Sequence, residues 1–186
     1  MSWRTSAQRT GAWRVLSELF MPTSEGEARV LLLIDAFSAQ RRSLEGRTKL
    51  AKLDFLLRYP PFLRRALAVR APQQQWPLAG PDEDNIENRM IRFRYGPWDP
   101  SYFAVLGRLF GKGLVELVPI RGGLGFRTTH QGSRLAATLA ATEPWAETQL
   151  LIGLLKRNFN LSGTTLKAFV YDHFPEVAAA NWGEEL

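Results

Sequence analysis

Residues 99–141, DPSYFAVLGRLFGKGLVELVPIRGGLGFRTTHQGSRLAATLAA, constrain the fold more than any other stretch of the chain. Asp99 is placed to cap a helix whose first turn holds Pro100, a residue with a preset φ and no N–H to lose. Tyr102, Val105, Leu106 and Leu109 recur at helical spacing and predict its buried stripe, while Ser101, Ala104, Arg108 and Lys112 fall on the opposite face. Gly107 inside that helix costs about 1 kcal/mol against Ala, so the expectation is a close helix contact there. Gly113 ends the helix. Two apolar runs, 114–118 and 124–128, then flank the Gly122-Gly123 pair and predict a β-hairpin with Arg121 and Arg127 beside its tip. A further helix follows over 131–141, seated by Leu135 and Leu139. Helix, hairpin, helix is the order of the back half of a winged helix-turn-helix. It turns the question of function away from catalysis and toward DNA or partner binding.

The residues before this stretch read as helices with one break. Over 27–40, Val30, Leu33, Ile34 and Phe37 share a face. After the linker RRSLEGR, Thr48 is a candidate N-cap for KLAKLDFLLRY, with Leu50, Leu53 and Leu57 on its buried side and Lys49 and Lys52 off it. Asp54 can pair with Arg58 at i, i+4. Pro60 breaks this helix, and Pro61 suits the first turn of PFLRRALAVR, which points Phe62, Ala66 and Leu67 inward and Arg64 and Arg65 outward. Residues 72–88 are rich in breakers and acidic groups and predict a long loop carrying Trp76. The alternation over 89–95 predicts a half-buried strand, with Ile91, Phe93 and Tyr95 on one side and Arg92 and Arg94 on the other. At the far end, Pro144 separates a helix over 145–157, with Leu150, Leu151, Leu154 and Leu155 on its apolar face. A last helix capped by Ser162 carries Leu166, Phe169, Val170 and His173 on one side.

The expected class is therefore α+β, mostly α: a winged helix-turn-helix with a β-hairpin wing and a C-terminal helical extension. The expected organisation is an N-terminal arm over 1–27, a winged-helix domain over 28–141 containing the loop 72–88 and the wing 114–128, and the extension over 142–186. The arm reads either as loosely packed chain or as a docking segment that buries Trp3, Trp13 and Phe20 on a neighbour.

Charge sharpens the functional question. The net charge of the 186 residues is +6, but residues 1–70 carry a net of +7, residues 71–141 a net of +2 and residues 142–186 a net of −3. The basic portion suits a polyanion, and the acidic end suits protein. The candidate DNA-binding residues are Arg41, Arg42, Arg47, Lys49 and Lys52 at the entry to the helix-turn-helix, Arg108 and Lys112 on the helix before the hairpin, and Arg121 and Arg127 on the wing. The candidate recognition face carries few of the Asn, Gln or Arg side chains that read base edges, which favours contact without sequence specificity or no DNA contact. Trp3, Trp13, Trp76 and Trp182, with Leu166, Phe169 and Val170 on the last helix, are the candidate partner-binding residues, since Trp is a frequent interface anchor.

Catalytic constellations do not emerge. The chain has no GxxxxGK[ST] loop, no GxSxG and no cysteine. GGLG at 122–125 belongs to a hairpin tip. His130 and His173 stand apart, and the carboxylates of DEDNIE at 82–87 sit on a loop without rigid scaffolding. The expectation is a chain that is not an enzyme and uses no metal or cofactor. The longest apolar run, residues 30–34, is far short of a membrane span, and the basic N-terminus lacks an apolar signal core, so a cytoplasmic location away from membranes is expected.

FAVLGRLFGKGLVELV followed by GFRTTHQGSRLA resembles the wing region of MarR- and PadR-type regulators, where a GLV turn leads into the wing and an LTxxG segment starts the next helix. LEGRTKLAKLDFLLRYPPFLRRAL, MIRFRYGPWDPSYFAVLGRL and the ending LKAFVYDHFPEV together resemble the middle, non-ATPase component of ABC three-component systems, the group that includes Lamassu anti-phage defence. The likeness covers roughly residues 28–175. It implies a winged-helix accessory subunit that bridges or caps an SMC-like ATPase and restrains or releases a nuclease-type effector, with double-stranded DNA as a further contact of the assembly. The alternative is a free-standing winged-helix transcription regulator.

Overall fold

The computed structural model describes residues 21–38, 42–74, 90–93 and 96–181, with 91–93 described through their backbone. Trp3, Trp13, Phe20, Arg41, Trp76 and Trp182, most of the loop 72–88 and the side-chain alternation over 89–95 lie outside the described residues. The described chain is mostly helical, with two small antiparallel hairpins, an α+β arrangement dominated by α.

Helix α1 runs Ser24–Ser38. It starts upstream of the apolar stripe because the Thr23 hydroxyl accepts the Gly26 N–H at 2.9 Å, leaving a capped first turn. Residues 30–34 are all buried, so α1 is enclosed on every side instead of presenting one stripe to a core. It packs against helices and strand from the rest of the chain.

Leu44 follows. Its N–H and carbonyl exchange hydrogen bonds of 2.9 Å with Phe126, an isolated antiparallel bridge to the distant hairpin. Helix α2, Gly46–Arg58, begins ahead of Thr48, and its N-cap position is Glu45, which makes no side-chain capping bond. Every residue from 49 to 57 is buried. Helix α3, Pro60–Arg70, uses Pro60 and Pro61 in its first turn and buries Leu63, Ala66 and Leu67. The expected inward Phe62 is partly buried and meets Phe55 and Phe174 at 4.9 and 5.0 Å between ring centroids.

Strand β1, Ile91–Phe93, pairs with β2, Gly96–Trp98, in the register Arg92↔Pro97. Sequence reading gives one strand and a turn here, because GPW carries little strand propensity; β2 is held by contacts with α2 behind it. Helix α4, Tyr102–Gly111, buries Tyr102, Val105, Leu106 and Leu109 as expected. Asp99 caps a preceding turn, with its Oδ1 accepting the Ser101 N–H at 2.7 Å, so the helix itself starts later than the Asp-Pro pair implies.

Strands β3, Val115–Ile120, and β4, Gly123–Thr128, form the expected hairpin, with Gly122 at φ 87° in its turn. Helix α5, His130–Ala140, is capped by Thr129, whose hydroxyl accepts the Gly132 N–H at 3.0 Å and donates to the Gly113 carbonyl at 2.7 Å. A Cβ at Gly132 would lie 1.9 Å from the Leu114 carbonyl oxygen, so only glycine lets α5 seat here. The seat is made by the small residues Gly132 and Ala136; Leu135, expected inward, is exposed.

A 3₁₀ turn, Glu143–Trp145, leads to α6, Ala146–Asn158, then α7, Gly163–His173, and a short α8, Pro175–Ala179. On α6 Leu151, Ile152, Leu154 and Leu155 are buried, whereas Leu150 is exposed. Ser162 caps α7 as expected, accepting the Thr165 N–H at 3.1 Å. Leu155, Phe159, Leu166, Val170 and Phe174 are sealed inside the same core as α1 to α3. Among the described residues no helix is long and apolar enough to cross a membrane.

Candidate functional site

The packing of α1, α2 and α4 encloses an ionic cluster. Asp54 is fully buried; one oxygen accepts Arg29 Nε at 2.9 Å and the other accepts the Tyr102 hydroxyl at 2.7 Å. Arg58 lies 3.7 Å from Asp54 and 2.6 Å from Asp99. Burial pushes the Asp54 carboxyl up, but the Arg29 and Arg58 charges and the Tyr102 hydrogen bond outweigh it and hold Asp54 below the ordinary carboxylate range. The same surroundings drive the Tyr102 phenol well above its ordinary value, through burial first and the Asp54 and Asp99 charges next. The expected Asp54–Arg58 pairing is present but secondary. Arg29, Asp99 and Tyr102 complete the cluster from elements that sequence spacing does not connect.

The candidate DNA-binding cations divide sharply. Lys49 and Lys52 are 4% and 1% exposed, so, contrary to expectation, they do not lie on a surface open to DNA. Lys52 Nζ donates to the Pro97 carbonyl at 3.1 Å, and Lys49 Nζ donates to Asn160 Oδ1 at 2.9 Å. They fall off the leucine stripe as expected, but α2 has no solvent face for them, since α7, α6 and β2 cover it. Burial pushes the Lys49 ammonium down, opposed in part by the Glu45 charge. Arg108 and Lys112 reach the surface, yet both bind Glu27 on α1, Arg108 Nη1 at 2.9 Å from Oε1 and Lys112 Nζ against Oε2. Those two cations outweigh the effect of burial and hold Glu27 below its ordinary range. Arg127 pairs with Glu116, its cross-strand neighbour, at 2.9 Å. Arg42, Arg47 and Arg121 are exposed, and among the described residues Arg42 and Arg121 have no ion pair.

Of the candidate partner-binding residues on α7, two are turned inward, contrary to expectation. Leu166 and Val170 are fully buried against α2, because α7 is a wall of the core. Phe169 is partly buried among Phe159, Phe174 and His173.

An unexpected apolar surface lies elsewhere. An open cleft of about 1220 Å³ separates the outer face of α4 from the β3–β4 hairpin. Register places Leu117 opposite Phe126 and Leu124 opposite Pro119, so Leu117, Leu124 and Phe126 share the hairpin face that looks into the cleft. Leu117 and Leu124 are 48% and 53% exposed, and Phe103 on the facing helix is 60% exposed. Phe110 completes the floor. A Cβ at Gly107 would meet nothing within 4 Å, so this glycine marks open space on the cleft side and not the expected helix contact. Arg47, Arg121 and Lys167 also line the cleft, with Glu45 the one acidic lining residue among the described residues. The Arg47 guanidinium lies 4.9 Å from the centre of the Phe103 ring. The sequence signal for the cleft is the length of one apolar hairpin face: Val115, Leu117, Leu124 and Phe126 share it, and Val115 and Phe126 at its base enter the core while Leu117 and Leu124 extend past it.

Among the described residues no group of three or more His, Cys, Asp or Glu side chains is gathered as a metal site. No protein family, curated protein or solved structure matches the chain.

Proposed function

We propose that this chain is a non-catalytic winged-helix accessory subunit that works by holding other proteins, within an assembly built on an SMC-like ATPase and a nuclease-type effector. The observation that carries the protein-holding part is the apolar cleft between α4 and the hairpin. In a winged helix that reads DNA, this helix and this hairpin present polar and cationic groups to bases and phosphates. Here they present Phe103, Phe110, Leu117 and Leu124. The cations on this helix and at its C-terminal end, Arg108 and Lys112, are engaged by Glu27.

The winged-helix part is supported by element order, α1, α2, α4, β3, β4, with α3 and the first hairpin inserted before α4. Leu44 supports it further, because its isolated antiparallel bridge to Phe126 sets the segment between α1 and α2 beside β4. The ATPase and effector partners are supported by the sequence resemblance to ABC three-component systems. A rival reading as a free-standing MarR- or PadR-like regulator draws on the exposed Arg42 and Arg121.

The deciding experiment is expression of the tagged chain with its native neighbouring genes, followed by affinity recovery and mass spectrometry. The expected result is a large coiled-coil ATPase at fixed stoichiometry. A chain recovered alone, as a dimer that shifts one specific duplex, would replace this reading with the regulator.

A further inference from the structure

Resting on the reading that the chain acts by holding another protein, we propose that the cleft between α4 and the β3–β4 hairpin takes an acidic amphipathic helix of that partner. Three features of the cleft choose this occupant. Its floor is apolar and contributed by side chains of two facing elements, the arrangement that receives the apolar stripe of a helix. Its volume accommodates on the order of three helical turns at a diameter near 10 Å. Among the described residues its lining carries Arg47, Arg121 and Lys167 against a single acid, Glu45, so a stripe flanked by Asp or Glu is complementary and one flanked by Lys or Arg is repelled.

The rim geometry fits this role. Arg47 rests over the Phe103 ring, which leaves the perimeter of its planar guanidinium, where the donors lie, for a carboxylate. Arg121 sits in the hairpin turn with no ion pair among the described residues. Gly107 keeps the floor open, since its missing side chain would project into space with no neighbour within 4 Å. Duplex DNA is a poor occupant. It would set phosphates against exposed Phe and Leu side chains, which offer them no donor.

The test uses the full chain and two fluorescein-labelled synthetic peptides of about 18 residues with the same leucine stripe, one flanked by Glu and one by Lys. Fluorescence anisotropy is expected to show the Glu peptide binding at least about tenfold more tightly, a factor worth about 1.4 kcal/mol, with affinity falling as salt is added. Arg47→Glu with Arg121→Glu should invert the preference. Leu117→Ser with Leu124→Ser should weaken both peptides while the circular dichroism and melting curve stay those of the parent. Equal affinity for the two peptides, no binding of either, or Glu-peptide binding indifferent to these four substitutions would overturn the proposal.

The co-expression experiment separates this idea from the one beneath it. A complex recovered at full yield with the Arg47→Glu, Arg121→Glu chain would overturn the cleft assignment and leave the accessory subunit standing. Charge-selective binding of the Glu peptide by a chain recovered alone would keep the cleft chemistry and remove the accessory subunit.

Discussion

Tyr102 and Phe103 are neighbours on α4, and they belong to opposite regimes. Tyr102 faces inward to a fully buried carboxylate flanked by two arginines; Phe103 faces outward into an open cleft. The usual arrangement is thus inverted on both sides of one helix, with charge inside and large apolar groups outside. Each inversion has a cost. Charge withdrawn from water must be met by a countercharge, and apolar surface left in water gives up the stabilisation of burial. The inner region meets that cost within the molecule, through the contacts of Asp54. The outer region does not, and Phe103, Leu117 and Leu124 keep apolar surface in water. The glycines repeat the lesson. Gly132, on the closed side of the hairpin, has no room for a methyl group, whereas Gly107, on the open side, has nothing near it.

The largest expected effect breaks the inner region. Asp54→Asn leaves Arg29 and Arg58 buried with a weakened countercharge and should destabilise the fold by about 3–5 kcal/mol, read as a shift in the urea midpoint. A loss below about 1 kcal/mol would mean that water reaches the cluster. Next comes Gly132→Ala, which forces a Cβ onto the Leu114 carbonyl and should cost about 3 kcal/mol, at the upper end of overpacking penalties; an unchanged melting temperature would contradict the close seating of α5.

Acid provides a titration of the same contrast. Asp54 and Glu27 have folded-state values below their ordinary 3.8 and 4.5. Their stabilising contribution is therefore present above about pH 4.5 and is lost as pH falls below it toward the folded values. The midpoint should fall steeply in that window for the parent and less steeply for Asp54→Asn; parallel curves would assign the acid sensitivity to other groups. The smallest effects belong to the outer region. Gly107→Ala should stabilise by about 0.5–1 kcal/mol, because it improves helix propensity without a clash. Leu117→Ser with Leu124→Ser should change stability by no more than about 1 kcal/mol, since both side chains are already half in water. A large loss from the latter pair would make the cleft floor part of the core.

Periodicity made most helices and the second hairpin legible. The 3.6-residue spacing of Tyr102, Val105, Leu106 and Leu109 matches the buried side of α4, and the Gly122-Gly123 pair marks the turn between β3 and β4. Periodicity failed where a helix is enclosed. Lys49 and Lys52 sit off the leucine stripe of α2, and stripe logic sends such residues to solvent; α2 lacks a solvent face over these turns, and the two long side chains reach acceptors at 2.9 and 3.1 Å instead. The consecutive apolar run at 30–34 carried a related signal for α1. Too short for a membrane, it is the mark of a helix covered all round. Leu166 and Val170 failed for the converse reason, since an apolar stripe near a chain end looks unpartnered until α2 is seen behind it. The cleft was hidden because Phe103, Leu117 and Leu124 come from two elements, and only the pairing register shows that they face one space.

The bridge between Leu44 and Phe126 bears on how the chain is made. Leu44, between α1 and α2, completes its backbone hydrogen bonds only when β4 of a distant hairpin arrives. Arg29 and Asp54 likewise wait for Tyr102, and the far side of α2 waits for α7. During vectorial synthesis α1, α2 and α3 therefore emerge as apolar surfaces whose partners are still inside the ribosome. Folding of α1 to α3 is tied to the arrival of α4, the second hairpin and α7, and a messenger cut short after the first hairpin would release these helices with their apolar faces uncovered.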